Sequence, residues 1–271
     1  MIKGSGAYVG AGNRVGLGAF GANRGARCAF GVDYFGHTSL TDFRSWAWLL
    51  KAWQGTPMLF GVPLLPGAAS SDFVQLASDL NTYGYATTSA LRLGWEMNTY
   101  GQFQWTPPTT APAAFKARYL LAAAPIRKQL PHVQLVWNVN LGNPDPTPWY
   151  PGDAWVDAIA VDAYDAKWAA PGATPAQRWD FVLHQDHGLA WIRDFAKAHG
   201  KPLMIPEWGL DIPADDGGGG GGDDPGFIDS MLNWCADPTN NVTAQAYYSA
   251  DTHQLERFPL SLARYRARRG A

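Results

Sequence analysis

The sequence predicts an α/β protein built as one (β/α)8 TIM barrel over residues 1–271, and three observations predict it. Short apolar, β-branched or aromatic runs alternate with helical stretches roughly every 30 to 35 residues, as βα units require. The runs are near-continuously apolar, the pattern of strands covered on both faces of a parallel sheet. Eight of them fit within 271 residues, a length that suits one barrel of roughly 250 residues.

Taken in order, the first strand is expected over Ala7 to Gly10, a brief run that closes on glycine. The second spans Ala26 to Tyr34, where Phe30 and Val32 lead to Asp33, and the third spans Met58 to Pro63. Ala90 to Glu96 and Val133 to Asn138 form the fourth and fifth, Val156 to Asp162 the sixth and Leu203 to Glu207 the seventh. The eighth, Val242 to Tyr248, carries Thr243 and Gln245 and is with the first the weakest of the set. Helical spacing marks Phe43 to Trp53, Asp72 to Tyr83, Ala113 to Gln129, Leu189 to His199 and Phe227 to Cys235. Proline and glycine cluster in Thr106 to Pro112, Gly142 to Pro151 and Ala214 to Gly226, read as loops after strands four, five and seven because the alternation resumes after each. An open dinucleotide-binding sheet would need a third glycine after Gly10-Ala11-Gly12, which is missing.

Composition narrows the function. Charged residues make up 16% and the formal net charge is −2, so no electrostatic footprint for nucleic acid exists; the arginine-rich segment Arg264 to Arg269 reads as a solvated terminal helix. Apolar runs such as Tyr119 to Pro125 fall far short of the roughly 20 residues that span a bilayer, and no membrane partner is expected. No basic-then-apolar leader precedes Gly4-Ser5-Gly6, which leaves open extracellular action, a virion-borne origin or a place in a larger protein. Cys28 and Cys235 have no metal-ligand spacing and read as free thiols. His184 and His187 form HxxH, but no HExxH accompanies them and no acidic cluster surrounds them, so neither a metal nor any other cofactor is called for. The 13 Trp, 11 Tyr and 12 Phe are abundant, and many stand beside polar loop residues, where flat rings can stack on sugars.

The sharpest chemical signal is a scarcity. Only three of the 23 acidic residues are glutamate, and two of them, Glu96 and Glu207, close apolar strands with a tryptophan alongside, Trp95 and Trp208. In a barrel, the C-terminal ends of the strands form the catalytic face. Two carboxyl groups on strands four and seven that face each other across the barrel mouth suit hydrolysis of a glycosidic bond, one protonating the leaving oxygen while the other attacks the anomeric carbon. Asp33 is placed either to bind a substrate hydroxyl or to cap a loop; Trp137 with Asn140, and Trp168, either line the cleft or pack.

Arg92-Leu93-Gly94-Trp95-Glu96-Met97-Asn98, followed by Trp105, resembles the acid/base segment of glycoside hydrolase family 26, the β-mannanase-like retaining barrels. Tyr150 to Asp157, continuing through Asp162-Ala163-Tyr164-Asp165, resembles that family's strand-six segment, and Pro206-Glu207-Trp208-Gly209 its nucleophile segment. The resemblance implies that Glu96 is the acid/base and Glu207 the nucleophile, that Tyr164 hydrogen-bonds the nucleophile and Arg92 supports it, and that Asn98 and Trp105 lie near the bound sugar. One departure stands out: the family's mannanases usually carry His where this chain has Trp95.

The reading is therefore a retaining glycoside hydrolase of a β-linked polysaccharide or oligosaccharide, with a carbohydrate as its partner. The alternative is a catalytically silent carbohydrate-binding barrel in a larger extracellular or virion assembly, which has no need of both glutamates. A metal-dependent barrel hydrolase lacks the HxH expected after an early strand.

Overall fold

The computed structural model describes residues 1–142, 144–165, 172–214 and 219–268. Eight parallel strands close into a barrel in sequence order: β1 (Gly4–Tyr8), β2 (Gly31–Tyr34), β3 (Met58–Val62), β4 (Ser89–Leu93), β5 (Gln134–Asn140), β6 (Ala158–Tyr164), β7 (Leu203–Gly209) and β8 (Val242–Tyr248). Between and after them run α1 (Arg14–Arg24), α2 (Leu40–Phe43), α3 (Ala47–Ala52), α4 (Ser70–Thr82), α5 (Pro112–Gln129), α6 (Pro175–His184), α7 (Leu189–Ala198), α8 (Pro225–Ala236) and α9 (Pro259–Ala267). The expected barrel is thus the observed one.

Strand alternation sorts side chains into two layers. Outward residues such as Met58, Phe60, Leu91, Trp137, Ile159, Ile205 and Trp208 join the helices in one large apolar cluster. Inward residues form a smaller cluster of mostly small side chains, including Ala90, Ala158, Ala160, Ala244 and Ala246 beside Phe30, Leu59 and Met204. Above that plug, the same inward parity places Arg92, Asn138, Asp162 and Tyr164 toward the C-terminal ends. β7 does not keep strict alternation. Ala160 pairs Met204 but Asp162 pairs Glu207, so one extra residue is accommodated around Pro206, whose missing N–H suits a bulge. The bulge brings Glu207 to the inner face that Met204 already occupies.

Several boundaries differ from expectation. β1 lies earlier and β2 is shorter, because the Arg24 guanidinium draws the carbonyls of Ala26 (2.9 Å) and Arg27 (3.0 Å) away from any ladder. The expected helix Phe43 to Trp53 is split into α2 and α3, with the Ser45 hydroxyl bonded to the Asp42 carbonyl at 2.7 Å between them. α1 was not apparent because Gly16, Gly18 and Gly21 give it poor propensity; burial of Leu17 and Phe20 carries it. α6 carries a legible start, Pro175 after a Thr174–Gln177 capping box. Cys28 and Cys235 are free and partly buried.

The fourth strand ends at Leu93, not at Glu96. Gly94 turns the chain with φ +60°, and a Cβ there would lie 2.7 Å from Phe115 and 2.8 Å from Leu64. Gly94→Ala combines a left-handed backbone with overpacking, and we expect it to cost about 2–4 kcal/mol in urea unfolding; a loss under about 0.5 kcal/mol would show that the turn relaxes freely.

Candidate active site

Arg92 lies on the inner face of β4 with no exposed surface. Its Nη1 donates to Glu207 Oε1 at 2.7 Å, Asn138 Oδ1 at 3.0 Å and Asp162 Oδ2 at 3.3 Å, while the guanidinium carbon sits 4.9 Å from the centre of the Tyr34 ring. Asn138 Nδ2 also donates to Asp162 Oδ2 at 3.0 Å. Glu207 is completed by Tyr164, whose hydroxyl donates to Oε2 at 3.1 Å. One carboxylate oxygen therefore faces a cation and the other a phenol, which fixes the plane of the group. Burial, and then the charge of Glu207, hold the Asp162 carboxyl and the Tyr164 phenol well above their ordinary values.

Glu96 is held differently. It sits in the turn after β4 with φ +51°, a left-handed conformation costly for a residue with a Cβ, and its N–H donates to the Asn138 carbonyl at 2.9 Å. Asn140 Nδ2 donates to Oε1 at 2.7 Å and Gln102 Nε2 to Oε2 at 3.2 Å. Asn140 is itself clamped: its N–H donates to Asn98 Oδ1 and its carbonyl accepts from Asn98 Nδ2, both at 2.8 Å. The Glu96 carboxyl is pushed up to about 7 by burial first and the negative charge of Glu207 second, against the opposing hydrogen bond from Asn140.

Both carboxyl groups line one cavity of about 700 Å³ at the C-terminal ends of the strands. Tyr164, Asn140 and Trp95 share that lining. Trp95 is able to lie there because a Cβ at Gly61 would be 3.0 Å from its ring. The other expected residues stand behind the cavity. Arg92 meets it through Glu207 and through the ring of Tyr34, and Asn98 is bonded to Asn140. Trp105 is fully buried, stacked at 4.6 Å on Phe103, and donates to the Trp95 carbonyl at 2.8 Å. Trp137 packs outward against Tyr150 and Phe195, and Trp208 outward against Phe227 and Tyr247. Trp168 lies outside the described residues. Asp33 caps a loop: it accepts from Gly12 N–H at 2.8 Å and from the Trp53 indole at 2.6 Å.

Sequence reasoning missed Tyr8, Tyr34, Tyr248 and His253, which line the same cavity. The three tyrosines close β1, β2 and β8, and their common place at strand ends was a usable signal. His184 pairs with Asp180 at 2.9 Å, and His187 bonds the Gly142 carbonyl at 3.1 Å. Among the described residues no cluster of His, Cys, Asp and Glu is arranged to hold a metal. A second cavity, about 780 Å³, lies at the opposite end of the barrel beneath α1, with no carboxyl group among its described lining residues.

No protein-family model matches the sequence, and no curated protein matches it. Solved structures do. GH26C from a Muricauda species superposes with a TM-score of 0.68 at 13% identity, over 98% of this chain and 84% of that one. The catalytic domain of a Bacillus GH26 endo-β-1,4-mannanase gives 0.60 at 15% identity, over 92% and 78%. A GH26 β-mannanase from Bacteroides ovatus gives 0.58 at 13%, over 91% and 80%. The chain therefore has the GH26-like barrel fold that its motifs resemble.

The site predicts its own titration. Carboxyl-carbon NMR should place Glu96 near pH 7, displaced upward in Asn140→Ala, which removes a bond to the ionised form, and downward in Glu207→Gln, which removes the repelling charge. Movement of both variants in the same direction would contradict this electrostatic account.

Proposed function

We propose that the protein is a retaining glycoside hydrolase that cleaves a β-linked polysaccharide or oligosaccharide by double displacement, with Glu96 as acid/base and Glu207 as nucleophile. The observation that carries this reading is one cavity holding two glutamates in opposed environments, Glu207 bonded to a guanidinium and a phenol, Glu96 raised to about 7. The GH26-like fold supports it.

The chemistry follows from those environments. A Glu207 carboxylate oxygen attacks the anomeric carbon as the glycosidic C–O bond breaks, and the proton on Glu96 passes to the departing oxygen. Arg92 and Tyr164 fix the attacking group in one plane, so little reorganisation is needed. With its proton gone, Glu96 accepts one from water, whose oxygen attacks the same carbon and frees Glu207. The cavity wall formed by Tyr8, Tyr34, Trp95 and Tyr248 offers ring faces to a sugar. The endo-β-1,4-mannanases among the solved neighbours make β-mannan the first substrate to try, and Trp95, where mannanases of the family usually carry His, is the position at which the sugar preference is to be tested.

Glu207→Gln should lower kcat by at least about 10³-fold. Because the acid must start protonated, kcat/KM should fall as pH rises through about 7, and Glu96→Gln should abolish that limb. The first product should keep its anomeric configuration, a slow fluorinated substrate should become bonded to Glu207, and azide should restore turnover to Glu96→Ala as a β-glycosyl azide. Inverted product in early proton NMR spectra would overturn the double displacement, and sugar binding without any Glu207-dependent turnover would make the barrel a binding module.

A further inference from the structure

The two oxygens of Glu96 are held by two amides of unequal grip. Asn140 Nδ2 donates to Oε1 at 2.7 Å from a half-buried residue whose backbone Asn98 clamps on both sides. Gln102 Nε2 donates to Oε2 at 3.2 Å, and its exposed amide makes no other bond among the described residues. The backbone that carries Gln102 is nonetheless fixed. Gly101 N–H donates to the Pro107 carbonyl at 2.7 Å and the Thr106 hydroxyl to the Phe103 carbonyl at 2.8 Å, while the Phe103 ring lies 5.1 Å from Trp95 and 4.6 Å from Trp105. A side chain with three torsions on a rigid base is free to turn while its amide stays within reach of Oε2. Gln102 and Asn140 both line the cavity with Glu96.

Two N–H donors suit a carboxylate, yet a general acid begins with a proton, and that proton must sit on one of the two oxygens. On Oε1 it would confront the Asn140 N–H across 2.7 Å, donor against donor. On Oε2 the obstacle is movable, because a half-turn of the Gln102 amide exchanges Nε2 for Oε1 and gives the acid an acceptor. We propose that Gln102 is the positioning residue of the acid: its amide keeps the Glu96 proton on Oε2, accepting from the carboxylic acid and donating to the carboxylate. The inference rests on the hydrolase reading and names the oxygen that delivers the proton. A glycosidic oxygen displaces the Gln102 carbonyl to receive that proton, and once the leaving group has departed the Nε2–H returns to the ionised Oε2. The other groups that bear on Glu96 are Glu207, Arg92, Asp162, Tyr164 and Tyr248 from the strands, with His37 on the cavity wall after β2. A change at Gln102 leaves all of them in the sequence.

With only three glutamates in the chain, the proton can be followed directly by carboxyl-carbon and side-chain amide NMR of the whole protein. The Gln102 amide signals should titrate with the midpoint of Glu96, and by more than those of Asn140. Gln102→Met, which keeps the length without the amide, should move the Glu96 midpoint upward, since a bond to the ionised form is lost. The kinetic arm uses phenyl and dinitrophenyl β-mannobiosides and β-cellobiosides, because a poor leaving group needs the acid and a good one does not. Gln102→Met should lower kcat/KM about 3- to 10-fold for the phenyl glycoside and at most about twofold for the dinitrophenyl one. A larger titration at Asn140 than at Gln102, a Glu96 midpoint that stays or falls in Gln102→Met, or equal losses for both leaving groups would overturn the inference. The outcomes separate the two claims. Coupled titration of Gln102 and Glu96 without Glu207-dependent cleavage of any glycoside would defeat the hydrolase reading and leave the proton on Oε2, whereas Glu207-dependent cleavage with an unmoved midpoint would do the reverse.

Discussion

The buried guanidinium of Arg92 is the constraint around which the barrel mouth is organised. A cation with no exposed surface is tolerated only where carboxylates and amides meet it. Here Glu207, Asp162 and Asn138 supply the acceptors and Tyr34 a ring face. Those four groups come from β7, β6, β5 and β2, so one side chain of β4 ties together half of the strands at their C-terminal ends. Deleting a partner of such a charge typically costs about 3–5 kcal/mol. The residues around Glu207 are therefore also part of what closes the barrel at that end, and the small alanines beneath leave the interior volume that so polar a layer occupies.

The two glutamates answer to this constraint in different ways. Glu207 is part of a strand and bonded directly to Arg92, so its orientation is inherited from the sheet. Glu96 stands on a strained turn, fastened to β5 through its N–H and through Asn140, and Asn98 from the same turn closes the clamp. Backbone strain of this kind persists only where surrounding bonds over-determine it. Those bonds hold a carboxyl group off the strand lattice, in surroundings apolar enough to favour its proton.

Much of this was legible in the sequence, and what escaped has a physical reason. Scarcity singled out Glu96 and Glu207, and apolar runs located all eight strands even where their ends moved. The tryptophans misled because composition carries no parity. Trp137 neighbours Asn138, and Trp208 neighbours Glu207; adjacent residues on a strand face opposite sides, so in each pair the polar member turns inward and the indole goes to the helices. Asn98 and Trp105 do sit beside the expected segment, yet as props for Asn140 and Trp95 rather than at the cavity. α1 escaped because packing, not propensity, makes it helical.

The bulge at Pro206 gives chain length a role that side-chain chemistry does not have. With one residue fewer between Met204 and Glu207, the carboxylate would rotate to the helix layer and Trp208 would be driven into the charged mouth beside Arg92. Glu207 would survive in the sequence, but its bonds to Arg92 and Tyr164 would not survive in space. For this barrel a single-codon deletion in the seventh strand is a more destructive event than most substitutions at its surface.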